Sequence, residues 1–225
     1  MKKEIIINTF TEFQEQLADI KRTCLCRGTG NASYALTPSL FRYGSSSDID
    51  KLESDMMWFF KTQAKAHLQR LPESELEWLT IARHHGLPTR LLDWTLSPLV
   101  ACFFAVSRRP DTDGVVYLYD IDRAGREEAI DLKKLKVITA FFPTHTTTRL
   151  TAQSGMFTIH PTHQQTLHSR KLKKIIIPKA AKKDILELLA KFGIHHATLF
   201  PDLDGLATFI KYLVDYRWPQ SKKIR

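Results

Sequence analysis

The chain has 225 residues, 43% of them hydrophobic and 25% charged. That is the composition of a globular protein with a real core, in one generous domain or two small ones, and it excludes a disordered or collagen-like chain. A formal net charge of +9 suits an anionic ligand, nucleic acid or an acidic protein face, and a soluble basic surface equally explains it.

The Lys and Arg are spread along the whole chain, with modest clusters at Lys171, Lys173 and Lys174 and at Lys222, Lys223 and Arg225. The three cysteines, Cys24, Cys26 and Cys102, form neither a disulfide framework nor a metal-ligand spacing. Free thiols fit a reducing, cytoplasmic setting. The first apolar run stops at Asn8, too short for a signal peptide, and no stretch has the length of a membrane span.

In chain order, residues 9–21 read as a helix with Thr9 or Thr11 as cap and Phe10, Phe13, Leu17 and Ile20 on one side. Thr23 to Arg27 reads as a short strand ended by the turn signal Gly28-Thr29-Gly30-Asn31. Residues 34–44 read as a loop with apolar anchors, and Ser45 to Ser47 as linker. Asp48 caps a helix to about Leu71, with Leu52, Met56, Phe59 and Phe60 as its buried stripe and Trp58 off that face. Ser74 and Glu77 form a capping box for the next helix, which carries Leu76, Leu79 and Ala82 and delivers His84 and His85.

Residues 84–97 follow, a polar connection between two apolar helices. Gly86 and Pro88 stop the first helix, and Ser97 and Pro98 open the second as N-cap and N1. Between them stand Thr89, Arg90, Asp93, Trp94 and Thr95, side chains that turning does not require, and this stretch is expected to be a site. The helix from Leu99 to about Ser107 is apolar all round and therefore buried, with its N-terminus at the mouth of that site.

Strands are expected at Val115 to Ile121, Lys136 to Phe142, Arg149 to Ile159 and Leu172 to Ile177. Gln153 falls near the middle of the third, with Gly155 as a bulge. Asp184 to Phe192 reads as an amphipathic helix closed by Gly193. A last helix follows Asp202 or Asp204 as cap, with Leu206, Phe209, Ile210 and Leu213 inward. Helices first, then mainly strands, then helices give an α+β fold: N-terminal helices packed on a mainly antiparallel sheet, with C-terminal helices.

The nine histidines offer no zinc helix: His84 with His85 and His195 with His196 are adjacent, and His160 and His163 lack a nearby acid or Cys. No metal is expected. Neither a Gly-x-Ser-x-Gly elbow nor a phosphate-binding glycine fingerprint is present.

Several stretches together resemble one family. Cys26-Arg27-Gly28, Leu36 to Arg42, His84 to Thr95, Arg149 to Phe157 and Thr198 to Gly205 are similar to the motifs of the FRG-domain family, named for Phe-Arg-Gly. Cys26 stands where that Phe would be. The resemblance covers about residues 9–213, implying a single domain over 1–225 with a basic tail at 214–225. It also implies a bacterial or phage origin.

A second likeness is to ADP-ribosyltransferases: Arg27-Gly28 is similar to the cation of their first strand. Thr95-Leu96-Ser97 ahead of Ala101 and Phe104-Ala105 is similar to their second motif. It implies an ADP-ribosyltransferase-like fold binding NAD as substrate. Arg27, Gly28, Tyr34, Arg90, Trp94, Thr95 and Ser97 would hold the cofactor, and Arg27, His84, His85, Asp93 and Gln153 would do the chemistry. Gln153 is neutral where that family's third strand has Glu, so either Asp93 supplies the charge or the protein binds NAD without turning it over. Each residue also has a structural explanation: Arg90 and Asp93 as a buried pair fixing the loop, Trp94 as packing, and Thr95 and Ser97 as caps. Two other readings stand beside this one, a non-catalytic module binding nucleic acid or protein, and a nuclease-like toxin using His84 or His85.

Overall fold

Runs rich in β-branched and aromatic residues become the strands of an eight-stranded mixed sheet. The computed structural model describes residues 3–21, 23–43, 48–144 and 147–216. The strands are β1 (Lys3–Ile6), β2 (Cys24–Thr29), β3 (Leu91–Thr95), β4 (Gly114–Asp120), β5 (Gly125–Arg126), β6 (Thr139–Phe142), β7 (Gly155–Ile159) and β8 (Leu172–Ile177). They stand in the order β1-β8-β4-β2-β3-β7-β6-β5. Only the outermost pairs, β1 with β8 and β5 with β6, are parallel. The fold is α+β on a mainly antiparallel sheet.

One junction in the middle of this sheet is thin. β2 pairs with β4 along its whole length, Cys24 to Thr29, yet meets β3 only where Cys26 faces Thr95. β3 pairs instead with β7 in an unbroken register from Leu91↔Ile159 to Thr95↔Gly155. The seam between the two halves is where the polar residues gather.

The helices are α1 (Phe10–Glu15), α2 (Ile49–Ala64), α3 (Glu75–His84), α4 (Pro98–Val106), α5 (Thr148–Ala152), α6 (Lys182–Lys191), α7 (His196–Leu199) and α8 (Leu203–Tyr216). Their starts follow local chemistry: Thr9, Asp48, Ser74 and Ser97 each accept a backbone N–H three residues on. The box at Ser74 is half-made, because the Glu77 carboxylate accepts from Glu73 N. One core lies between α4, α6 and α1 and the β2-β4-β8 half, around Phe13, Cys26, Phe103, Val116 and Ile175. A second lies between α2 and α3 and the β3-β7-β6 half, around Trp78, Leu79, Leu91, Phe141 and Ile159.

Gly28 sets how closely α4 lies on β2. A Cβ there would stand 1.7 Å from the Ala101 carbonyl oxygen, so Gly28→Ala must push the helix off the strand. A loss of about 1–3 kcal/mol is expected, read as an earlier midpoint in urea unfolding.

Several sequence expectations are corrected. Residues 84–97 are not simply a loop, because Leu91–Thr95 is strand β3. Residues 149–159 are not one strand: Thr147 caps the short helix α5, Gln153 is its C-cap, and Ser154 turns the chain at φ 46° into β7. Gly155 is no bulge; it lies flat in the register, and a Cβ there would meet Leu150 at 2.4 Å. Helix α1 ends at Glu15, and α2 ends at Ala64 followed by a tight turn over Lys65–His67.

The buried face of α2 is Glu53, Met57 and Ala64, not the Met56 and Phe59 stripe, and Phe59 is 57% exposed. Glu53 is drawn inward by Arg90, which rotates the helix away from the expected face. On α8, Leu206 and Ile210 are exposed, while Phe209 and Leu213 are half-buried. Asp202, rather than Asp204, accepts from Gly205 N at 2.7 Å. That helix reaches Tyr216, inside the segment expected as a tail. Ser45 to Ser47 and Lys222, Lys223 and Arg225 lie outside the described residues. Among those described, no helix is long and apolar enough to cross a membrane.

Candidate functional site

The seam opens into a cleft of about 530 Å³, within the size range of small-molecule sites. The pleat explains its polar floor. Leu92 and Trp94 of β3 point into the core on the far face, so Asp93 and Thr95 share the other. β2 brings Arg27 and Gly28, the end of α3 brings Arg83, His84 and His85, α4 and the turn after it bring Phe104 and Arg108, and α5 brings Arg149 and Gln153.

Asp93 is the hub of one wall. Arg83 donates to its carboxylate from Nε at 3.2 Å and from Nη2 at 2.6 Å. Arg27 Nη1 donates to the Asp93 backbone oxygen at 2.6 Å and lies 3.5 Å from Oδ2. Burial opposes the Asp93 charge, but the adjoining Arg83 and Arg27 outweigh it and hold the carboxyl below the usual carboxylate range. Arg83 also donates to Ser39 Oγ at 3.2 Å, which ties α3 to the loop before α2.

The opposite wall is different in kind. Among the described residues, neither Arg108 nor Arg149 has a carboxylate within ion-pair distance. The Arg149 guanidinium lies 4.5 Å from the Phe200 ring centre and that of Arg108 5.8 Å from Phe104, while the two rings meet edge to face at 6.1 Å. Burial and then the neighbouring Arg108 push the Arg149 pKa down, yet a guanidinium stays charged at any working pH. The lining thus sets four arginines against one aspartate, and among the described residues two of the four have no carboxylate within ion-pair distance.

His84 is pushed below the usual imidazole pKa by burial, then by Arg149 and His85, which favours the neutral ring at pH 7. Its ring meets that of His85 edge to face at 5.1 Å. Thr95 Oγ1 donates to the Gln153 carbonyl at 2.7 Å and accepts from Ser97 N at 3.0 Å, pinning the end of β3 to the end of α5. The Gln153 amide is already engaged, its Nε2 donating to Leu199 O at 3.0 Å.

Of the residues expected at a site, Arg27, Gly28, His84, His85, Asp93, Trp94, Thr95 and Gln153 line this cleft. Tyr34, Arg90 and Ser97 do not. Tyr34 lies in a separate hollow beside Tyr117 and His168, with the Arg109 guanidinium 5.4 Å from its ring centre. Arg90 pairs with Glu53 and Asp50 instead of Asp93. Ser97 accepts from Val100 N as a plain N-cap. The start of α4 is not at the cleft mouth; the helix crosses β2 over Gly28 and reaches the cleft with Phe104 near its other end. Trp94 is 3% exposed and donates to Thr158 Oγ1 at 3.0 Å, which makes it a packed anchor.

Sequence reasoning missed Arg83 and Arg108 and took Arg149 only as part of a motif. Arg83 carried a signal, its place directly before His84; Arg108 carried none. Among the described residues, no group of three or more His, Cys, Asp or Glu stands close enough to hold a metal ion.

Comparison with protein families matches residues 22–114 to the FRG domain. Comparison with curated proteins and with solved structures gives no match. The matched stretch carries Arg27, Arg83, His84, Asp93 and Arg108 of the cleft, while α5, with Arg149 and Gln153, lies beyond it. Residues 22–114 of the chain thus match the FRG domain, the family whose motifs the sequence resembles.

Proposed function

We propose that the cleft binds NAD and that the protein is an ADP-ribosyltransferase-like enzyme. The observation that carries this reading is the pair Arg108 and Arg149, two guanidiniums lining a cleft of dinucleotide size with, among the described residues, no carboxylate within ion-pair distance of either, Asp202 and Asp93 acting on Arg149 only from further off. A pyrophosphate bridges such a pair with charge-assisted, bidentate hydrogen bonds. The wall of Arg27, Asp93 and Arg83 then receives the ribose end.

When the bond between the ribose C1′ and nicotinamide breaks, nicotinamide leaves with the electron pair and positive charge develops on the ribose. Asp93, kept ionised by its two arginines, is the carboxylate of the lining that can stabilise it. An acceptor hydroxyl or water attacks C1′ and gives its proton to neutral His84. Gln153 holds the turn before β7 against α7 through Leu199, and Thr95 holds the same turn to β3.

The test is nicotinamide release from NAD with water as acceptor. The wild-type protein releases nicotinamide, Asp93→Asn slows release by roughly 100-fold or more, and His84→Ala slows it by about 100-fold. The rate falls as pH drops through the lowered His84 pKa, so activity persists below the ordinary imidazole value. Absence of release from folded wild-type protein, or equal rates in Asp93→Asn, overturns the catalytic reading.

A further inference from the structure

A second cavity, also about 530 Å³, lies between α2 and α3 on the other side of His85. Its walls are apolar, built from Met56, Phe59, Phe60, Leu68, Ile81 and Leu87. The polar side chains among the residues lining it are Gln63, His67 and His85. Phe59 leaves more than half its surface in water, an unfavourable exposure that contact with an apolar molecule would relieve. His85 lines both this cavity and the arginine cleft, so the two spaces share one imidazole wall.

We propose that this cavity is a second small-molecule site, which takes an aromatic or branched aliphatic body with one hydrogen-bonding group directed at His85. The chemistry follows from the walls. A mostly apolar concave lining with a few fixed polar groups binds such molecules, with the polar groups setting orientation. Among the described residues, no Lys, Arg, Asp or Glu lines it, so a multiply charged ligand would be desolvated there without a counter-charge. The size fits one small molecule, and a ligand seated against His85 is one side chain away from His84, whose ring His85 touches.

The test uses 2-naphthol, a two-ring body with one hydroxyl, and the full chain labelled at its methionine methyl groups. Titration is expected to shift the Met56 methyl signal and the ring signals of His85 and His84, with saturation below millimolar. Ala64→Phe fills the cavity from its α2 wall and is expected to weaken 2-naphthol at least tenfold. Leu68→Trp does the same from another position, should the first variant fail to fold. Both keep the affinity of the cleft for NAD, so a failure of the cleft reading and a failure of this one are told apart. An unmoved Met56 signal at saturating probe, or unchanged affinity in a folded filling variant, overturns the proposal.

Discussion

Replacing Glu53 with alanine is expected to cost about 3–5 kcal/mol of folding stability, the loss typical of stripping one partner from a buried ion pair. Glu53 is buried in the inward face of α2, and its carboxylate accepts from the Arg90 guanidinium and from the Arg90 backbone N–H at 3.2 Å. Asp50, one turn earlier, takes a second Arg90 nitrogen at 3.0 Å. Arg90 is itself nearly enclosed, with 11% of its side chain exposed. Removing Glu53 leaves that charge with only an exposed partner. Urea unfolding of Glu53→Ala measures the loss. The double variant Glu53→Ala, Arg90→Met is expected to be less damaged than Glu53→Ala alone, because no uncompensated charge remains. A single-variant loss under about 1 kcal/mol would contradict the role given to this pair.

The second large effect is a pH dependence. His160 has no exposed surface, and burial pushes its pKa down to about 4. Trp94 Nε1 donates to Thr158 Oγ1 at 3.0 Å, and Thr158 lies 3.1 Å from His160 Nε2. With the Thr158 hydroxyl donating, Nε2 accepts and the His160 Nδ1–H is left to donate to Gln165 O at 3.0 Å. That arrangement needs the neutral ring.

Between pH about 6.5 and about 4 the unfolded chain binds a proton that the folded chain refuses, so stability falls as pH falls through that window. The stabilisation is fully present above the unfolded pKa, and the total loss is about 3 kcal/mol. Unfolding free energies across this range measure it. His160→Gln is expected to be less stable at neutral pH and to lose most of the slope. An unchanged slope in that variant would remove His160 as its source.

The sequence spoke most clearly where a side chain acts on its own backbone. Ser97 and Pro98 announce α4, Thr9 and Asp48 announce their helices, and Gly193, at φ 78°, closes α6. It spoke less clearly where partners are remote. Arg90 and Asp93 look like a local pair, but Arg90 is claimed by Glu53, 37 residues earlier, and Asp93 by Arg27 and Arg83. Strand β3 was hidden because its outward residues are polar for the cleft's sake, breaking the hydrophobic pattern that marks a buried strand. Gln153 drew attention as an amide in mid-strand; it sits at a helix end because Ser154 takes a positive φ, which no period in the sequence shows. The arginine pair was illegible for the same reason. Arg108 follows α4 and Arg149 belongs to α5, and only the pairing of β3 with β7 brings them to one wall.

The central claim is that Arg108 and Arg149 hold the pyrophosphate of NAD, and calorimetry tests it most directly. Titration of NAD into the folded protein is expected to give saturable heat at sub-millimolar to millimolar ligand. The double variant Arg108→Gln, Arg149→Gln is expected to bind at least about 100-fold more weakly, since each guanidinium contributes a charge-assisted bond worth about 1.5–3 kcal/mol. Absence of heat from the folded wild-type protein at millimolar NAD, or equal affinity in the double variant, would contradict the account.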